Sequence, residues 1–184
     1  GPDQPENVEL FMGLGMLKSS FFTASLALPR LPRERSLGLG LGSADDQQLM
    51  VLSVGGAAAQ HNQRCQSAAI SVYDRITSVN GQSGDAPTLE RFLADAADSA
   101  DRVDLTLQRP KQLEVAISGK LGVELRFKDS SAGAVISDIE EDGGLARWNA
   151  VAEVPVAVGD QIIAIDGIPL QGAQVQPALA STAS

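Results

Sequence analysis

Cysteine, histidine, tryptophan and tyrosine each occur once in these 184 residues. A lone Cys65 excludes an internal disulfide framework, so cysteine usage gives no sign of an oxidising compartment. A lone His61 has no second ligand or nucleophile beside it, which argues against a metal centre or a Ser-His-Asp set. Aromatic residues make up 4% of the chain, so Leu, Val, Ile and Ala must fill the core. Apolar runs long enough to span a bilayer, about 20 residues, are missing. The best stretch, Val8 to Leu17, is short and holds Gly13 and Gly15. Basic charge is scarce too: 14 Lys and Arg against 23 Asp and Glu give a net charge of −9, spread evenly along the chain. Without a basic stripe, nucleic acid and anionic membranes are poor partners. An initiator methionine is absent as well. Gly1-Pro2 reads either as a protease scar or as a mature end left by removal of a targeting peptide, which would imply an organelle; the compartment stays open.

Against these absences stands an internal repeat. Leu37-Gly38-Leu39-Gly40-Leu41 is followed by Asp74 to Val79 and Asn80-Gly81. Leu121-Gly122-Val123-Glu124-Leu125 is followed by Asp160 to Ile165 and Asp166-Gly167. The two landmarks recur in the same order at shifts of 84 and 86 residues. The pattern predicts one small unit duplicated in tandem, with roughly 75–90 residues per copy, enough for a modest core.

The local patterns are those of an α+β protein. Residues 1–19 read as an N-terminal extension with a helix around Val8 to Lys18. In the first copy, strands are expected at Phe21 to Leu28, Leu37 to Leu41, Gln48 to Val54, Asp74 to Val79 and Val103 to Leu107. A short helix is expected at Ala57 to His61. A longer one starts at Thr88 as N-cap, with Leu89, Phe92, Leu93, Ala96 and Ala97 on one face. The second copy repeats the order with strands at Leu113 to Ile117, Leu121 to Phe127, Ala134 to Ile139 and Gln161 to Ile165, and a short helix at Gly144 to Asn149. Past Ile168 the parallel ends: residues 173–180 hold a weak helical pattern interrupted by Pro177, and no closing strand follows.

This order of elements resembles that of PDZ domains. Val158-Gly159-Asp160-Gln161-Ile162-Ile163-Ala164-Ile165-Asp166-Gly167 is close to the family's Val-Gly-Asp-x-Ile-x-x-Val-Asn-Gly signature. Val72-Tyr73-Asp74-Arg75-Ile76 matches it with Tyr73 in place of glycine. Ser36-Leu37-Gly38-Leu39 and Lys120-Leu121-Gly122-Val123 resemble the family's carboxylate-binding loop. The resemblance implies two tandem PDZ-like, partly open antiparallel β-barrels or sandwiches, each with a short and a longer helix. Residues 20–110 would form a complete domain. Residues 111–172 would form one lacking a clear groove helix and last strand, and 173–184 a tail. It also implies a non-catalytic interaction module that takes protein C-terminal tails or extended segments by strand addition. The carboxylate would meet backbone amides of Leu37, Gly38, Leu39 and of Leu121, Gly122, Val123, with Arg35 and Lys120 as assisting cations. Leu41, Leu89 and Leu93 would wall the groove.

Other residues read more plainly. Asp74 and Asp160 suit turns or caps rather than catalysis. His61-Asn62 aligns with Trp148-Asn149, which makes His61 a packing position. Asp138, Glu140, Glu141 and Asp142 lack the spacing of a Ca²⁺ loop. No catalytic residue, metal or cofactor is expected. Two further readings are an accessory subunit of a large multi-protein complex, organellar or at a photosynthetic membrane, and the regulatory PDZ region of a serine protease.

Overall fold

The computed structural model describes residues 7–15, 19–32, 35–128, 131–175 and 177. Its contacts divide the chain into two compact units: Ser19–Pro110, continuous in sequence, and a split unit made of Gly1–Lys18 with Lys111–Ser184. The split arises from the first described element, strand β1 (Asn7–Gly13). A helix was expected there, but Val8, Leu10, Met12 and Leu14 are all buried, which is a period of two. That alternation suits a strand with one face on the core.

The continuous unit holds β2 (Ser19–Ala27), β3 (Leu39–Gly42), β4 (Leu49–Val54), β5 (Arg75–Val79), β6 (Gln82–Ser83) and β7 (Arg102–Pro110). They form an antiparallel sheet of order β2-β7-β5-β4-β3, with β6 folded onto β5. The β5–β6 turn uses Asn80 and Gly81, both at positive φ, as a two-residue hairpin requires. Helix α1 (Gly56–Arg64) follows β4 and helix α2 (Ala86–Ser99) follows β6. Asp85 rather than Thr88 caps α2, its carboxylate accepting the Thr88 N–H at 3.0 Å. Pro87 fits the first turn, where a missing N–H costs nothing. Leu89, Leu93 and Ala96 then face the core with Ala24, Leu26, Leu49, Val51, Val103, Leu105 and Leu107.

The split unit holds β1, β8 (Gln112–Ser118), β9 (Val123–Arg126), β10 (Ala134–Ile139), helix α3 (Gly144–Asn149), β11 (Gln161–Ile165) and β12 (Ile168–Pro169). Its sheet runs β8-β1-β11-β10-β9, with β12 on β11. Here β1 is a central strand. It pairs with β8 from Asn7↔Ser118 to Gly13↔Gln112 and with β11 from Leu10↔Ile165 to Gly13↔Gln161. Among the described residues, the place between β8 and β11 is taken by β1, from the other end of the chain. Residues 7–13 are therefore a strand of this unit and not a bare extension. The expected tail also changes: 172–175 are helical and Val175 is fully buried in this unit's core, while 178–184 lie outside the described residues.

Candidate functional site

β3 and β9 stand at the ends of their sheets, each paired on one side among the described residues. Each is entered through a tight glycine turn. Gly38 has φ +72°, and a Cβ there would sit 2.0 Å from the Gly55 carbonyl oxygen. Gly122 has φ +71°, and a Cβ there would sit 2.4 Å from the Gly143 Cα. Only glycine fits either turn, because the conformation is left-handed and the opposing chain is in contact.

The hydrogen bonds orient these turns. The Leu37 carbonyl accepts from Ala58 N–H (3.0 Å) and the Gly38 carbonyl from Gly55 N–H (2.6 Å), so both point at the start of α1. In a trans peptide the next N–H points the opposite way, and no peptide bond here is cis. The N–H groups of Gly38 and Leu39 are therefore turned away from α1. Gly38 N–H reaches the Ser36 hydroxyl at 3.1 Å. The second turn repeats the arrangement. Leu121 O accepts from Leu145 N–H (3.0 Å) and Gly122 O from Glu140 N–H (2.9 Å), which turns the N–H groups of Gly122 and Val123 away from α3. Successive amides aimed one way form a concavity suited to an anion.

The side chains expected around these turns fall in several places. Leu37, Leu39 and Leu41 are half-buried and pack on the continuous unit's core. Leu89 and Leu93 lie in that same core with 1% and 3% of their surface exposed. Arg35 does not point to the turn. Its Nε donates to Ala97 O at 2.9 Å and its Nη2 to Ala100 O, at the C-terminal end of α2. Leu121 is buried and Val123 half-buried in the split unit's core. Lys120 forms an exposed 2.8 Å ion pair with Glu140, while its carbonyl accepts from Gly144 N–H.

Each unit also holds a matching second set of contacts. The Asn62 side chain brackets Ile70, donating to its carbonyl and accepting its N–H, both at 2.7 Å. Asn149 does the same to Val156 at 2.7 and 2.9 Å. Buried Asp74 accepts Ser71 N–H (2.7 Å), and buried Asp160 accepts Ala157 N–H (2.8 Å). Arg109 on β7 takes both Asp74 oxygens at 2.8 and 2.7 Å and lies 4.9 Å from the Phe22 ring centroid. Asp74 holds the Arg109 guanidinium above its usual pKa range. The matched His61-Asn62 and Trp148-Asn149 pairs were the sequence signal for the asparagine clasps.

His61 has both ring nitrogens 3.1 Å from carbonyl oxygens, Nδ1 from Ser25 and Nε2 from Ala68, which ties it to backbone rather than to a reacting group. A depression of about 460 Å³ beside it is lined by Thr23, Ser25, His61, Cys65, Arg102 and Asp104. Its charged groups are spent on one another: Arg102 donates to Asp104 and to Ser25. Among the described residues no group of three or more His, Cys, Asp and Glu side chains could hold a metal, and no helix is long and apolar enough to cross a membrane.

No protein-family model matches the chain, and no curated protein is similar to it at a significant level. Among solved structures, about half of the chain is similar to PDZ domains. One is the second PDZ domain of Dlg1 from the choanoflagellate Monosiga brevicollis, with 19% identity, 48% of this chain and 90% of that one covered, and a TM-score of 0.35. Another is the PDZ domain of choanoflagellate SHANK1 bound to a GIRK3 peptide, with 20% identity, 50% and 96% covered, and a TM-score of 0.37.

Proposed function

We propose that the protein is a non-catalytic interaction module that binds an extended protein segment, a C-terminal tail in the first instance, as a strand added to β3. The observation that carries this reading is the placement of the Gly38 turn. It leads directly into a strand paired on one side only among the described residues, and it turns the N–H groups of Gly38 and Leu39 away from α1. A carboxylate held there would put the residues before it alongside β3, where backbone pairing gives affinity independent of side chains. The apolar Leu39 and Leu41 favour apolar residues alternating along that segment. The β9 edge, behind the Gly122 turn, offers a second place of the same kind.

The test is a screen of the full chain against a random library of peptides with free C-termini. Binding with Kd on the order of micromolar, about −8 kcal/mol, is expected. N-methylation of alternate peptide amides should abolish it, because the added strand then loses its donors. Failure of every peptide, with the protein recovered only inside a stoichiometric assembly, would favour an accessory-subunit role instead.

A further inference from the structure

The sheet of the continuous unit has a second edge at its other end, where β2 pairs with β7 and with no other described strand. The nine residues of β2, Ser19–Ala27, include no charge, no glycine and no proline. The other edges are blunted. β3 is four residues long with two glycines, β8 carries Glu114, and β9 carries Glu124 and Arg126. Sheets place charges or short strands at their edges because a long uncharged edge offers its backbone to another chain. β2 also presents Phe21 at 52% exposure, between exposed Ser20 and Thr23.

The direction of its backbone groups follows from its neighbours. Ser25 stands opposite Asp104 of β7. Asp104 gives its N–H to Asn80 Oδ1 at 2.9 Å, and its carbonyl accepts Asn80 N–H at 2.7 Å, both on the side away from β2. Ser25 and Asp104 are therefore a non-hydrogen-bonded pair, and the backbone of Ser25 faces away from β7. Its carbonyl accordingly lies 3.1 Å from His61 Nδ1 on α1. The register runs from Ser19 to Ala27 without a shift. Phe21 and Thr23 therefore also turn their N–H and C=O groups outward, and no described group takes them up. α1 occupies the edge at Ser25, and the stretch before it is left to solvent.

We propose that β2 is a self-association edge. Two copies of this chain join by antiparallel pairing of β2 with β2, centred on Phe22, so that Phe21 of each copy exchanges both backbone bonds with Thr23 of the other. Charge selects this occupant. The chain carries −9, which holds copies apart, and an uncharged strip is where two equal charges approach at least cost. Antiparallel pairing of a strand with its own copy is also two-fold symmetric, as a closed dimer requires. The two Phe21 rings become diagonal neighbours on one exposed face, within reach of each other. Four backbone bonds and two rings make a small contact, so a Kd of about 100 μM is expected. The contact lies at the opposite end of the sheet order from β3 and does not depend on how β3 is used.

The experiment is sedimentation equilibrium of the full chain between about 5 and about 500 μM, where the dimer fraction should rise with concentration. Added salt should strengthen the dimer about threefold, because it screens repulsion between equal charges. Thr23→Lys brings a like charge from each copy into the contact and should weaken association more than about tenfold. Phe21→Ala should weaken it about threefold. Both positions are exposed, so thermal unfolding of each variant should match that of the unmodified chain. A second readout needs no variant: amide exchange of the unmodified chain at the two ends of the concentration range. The Phe21 and Thr23 amides should slow at high concentration while those of β3, β8 and β9 do not change. A monomer throughout, a dimer that Thr23→Lys leaves intact, or new protection at another edge in place of β2 overturns the proposal.

Discussion

The two units of this chain build the same sheet from strands in different chain order. In the continuous unit the strand between β2 and β5 is β7, which follows α2. In the split unit the strand between β8 and β11 is β1, the first element in sequence among the described residues. The supporting contacts match. Each unit has an asparagine clasp, from Asn62 or Asn149, and a buried aspartate that accepts an amide three residues earlier. They differ where the closing strand meets the aspartate. Asp74 is met by the charged Arg109 side chain, whereas Asp160 is met by the backbone N–H of Gly15 at 2.6 Å. The sheet position is what the physics requires, because an unfilled gap between two strands leaves a row of backbone groups unpaired. Which end of the chain fills it is secondary.

The largest effect expected from breaking the comparison comes from β1. Deleting residues 1–15 removes Val8, Leu10, Met12 and Leu14 from the split unit's core. At about 1.5–3 kcal/mol each, these amount to about 6–12 kcal/mol, comparable with the whole stability of a domain at about 5–15 kcal/mol. Hydrogen exchange should show 111–184 losing protection while 19–110 keeps it, and a synthetic peptide of residues 1–18 added in trans should restore it. Loss of protection in both units would mean that the boundary between them is drawn wrongly.

Next in size are the glycine turns. Gly38→Ala and Gly122→Ala each combine a left-handed backbone with a Cβ overlapping the opposing chain. A cost of about 2–4 kcal/mol is expected for each, confined to its own unit and read by denaturant titration with unit-specific probes. A smaller, asymmetric effect should follow at the aspartates. Asp74→Asn leaves Arg109 beside a neutral group, and because Arg109 is 44% exposed the loss should be about 1–2 kcal/mol. Asp160→Asn, which faces backbone amides alone, should cost less. Equal costs would show that Arg109 contributes nothing.

The smallest effect is on pH. The Thr88 hydroxyl and N–H hold the Asp85 carboxyl below the usual carboxylate range, and Ser25 followed by Arg102 does the same for Asp104. A folded pKa below the unfolded one gives stability that is present above the unfolded value and lost as pH falls through the folded one. The thermal stability of the continuous unit should therefore fall below about pH 4. Asp85→Asn should flatten that slope in part, and an unaltered slope would remove the cap from the account.

Most of the continuous unit was legible in the sequence because its signals are local. The Leu-Gly alternation marked β3, Asn80-Gly81 marked the β5–β6 turn, and spacing of three and four put Leu89, Leu93 and Ala96 on the buried face of α2. What stayed hidden is non-local. Val8, Leu10 and Met12 alternate, but their partners lie about a hundred residues and more away in β8 and β11, and nothing near residue 10 announces them. The cap of α2 moved from Thr88 to Asp85 because both residue types suit the position and only the bond direction decides. Arg35 was placed by its distance in sequence from Gly38, which cannot reveal that α2 ends within its reach. The turns themselves were visible as motifs; whether their amides are turned away from α1 and α3 depends on where Gly55-Gly56 and Gly143-Gly144 pack.

The proposed binding adds an extended segment to the edge of β3 that no described strand pairs. The most direct measurement is the amide spectrum of the full chain titrated with a library-selected C-terminal peptide. The account predicts saturable shifts concentrated in the Gly38 and Leu39 amides, along β3 to Gly42 and on α2, with slowed exchange of β3 amides in the complex. Binding that leaves these amides untouched and moves residues of β2, β7 or the His61 depression would contradict it.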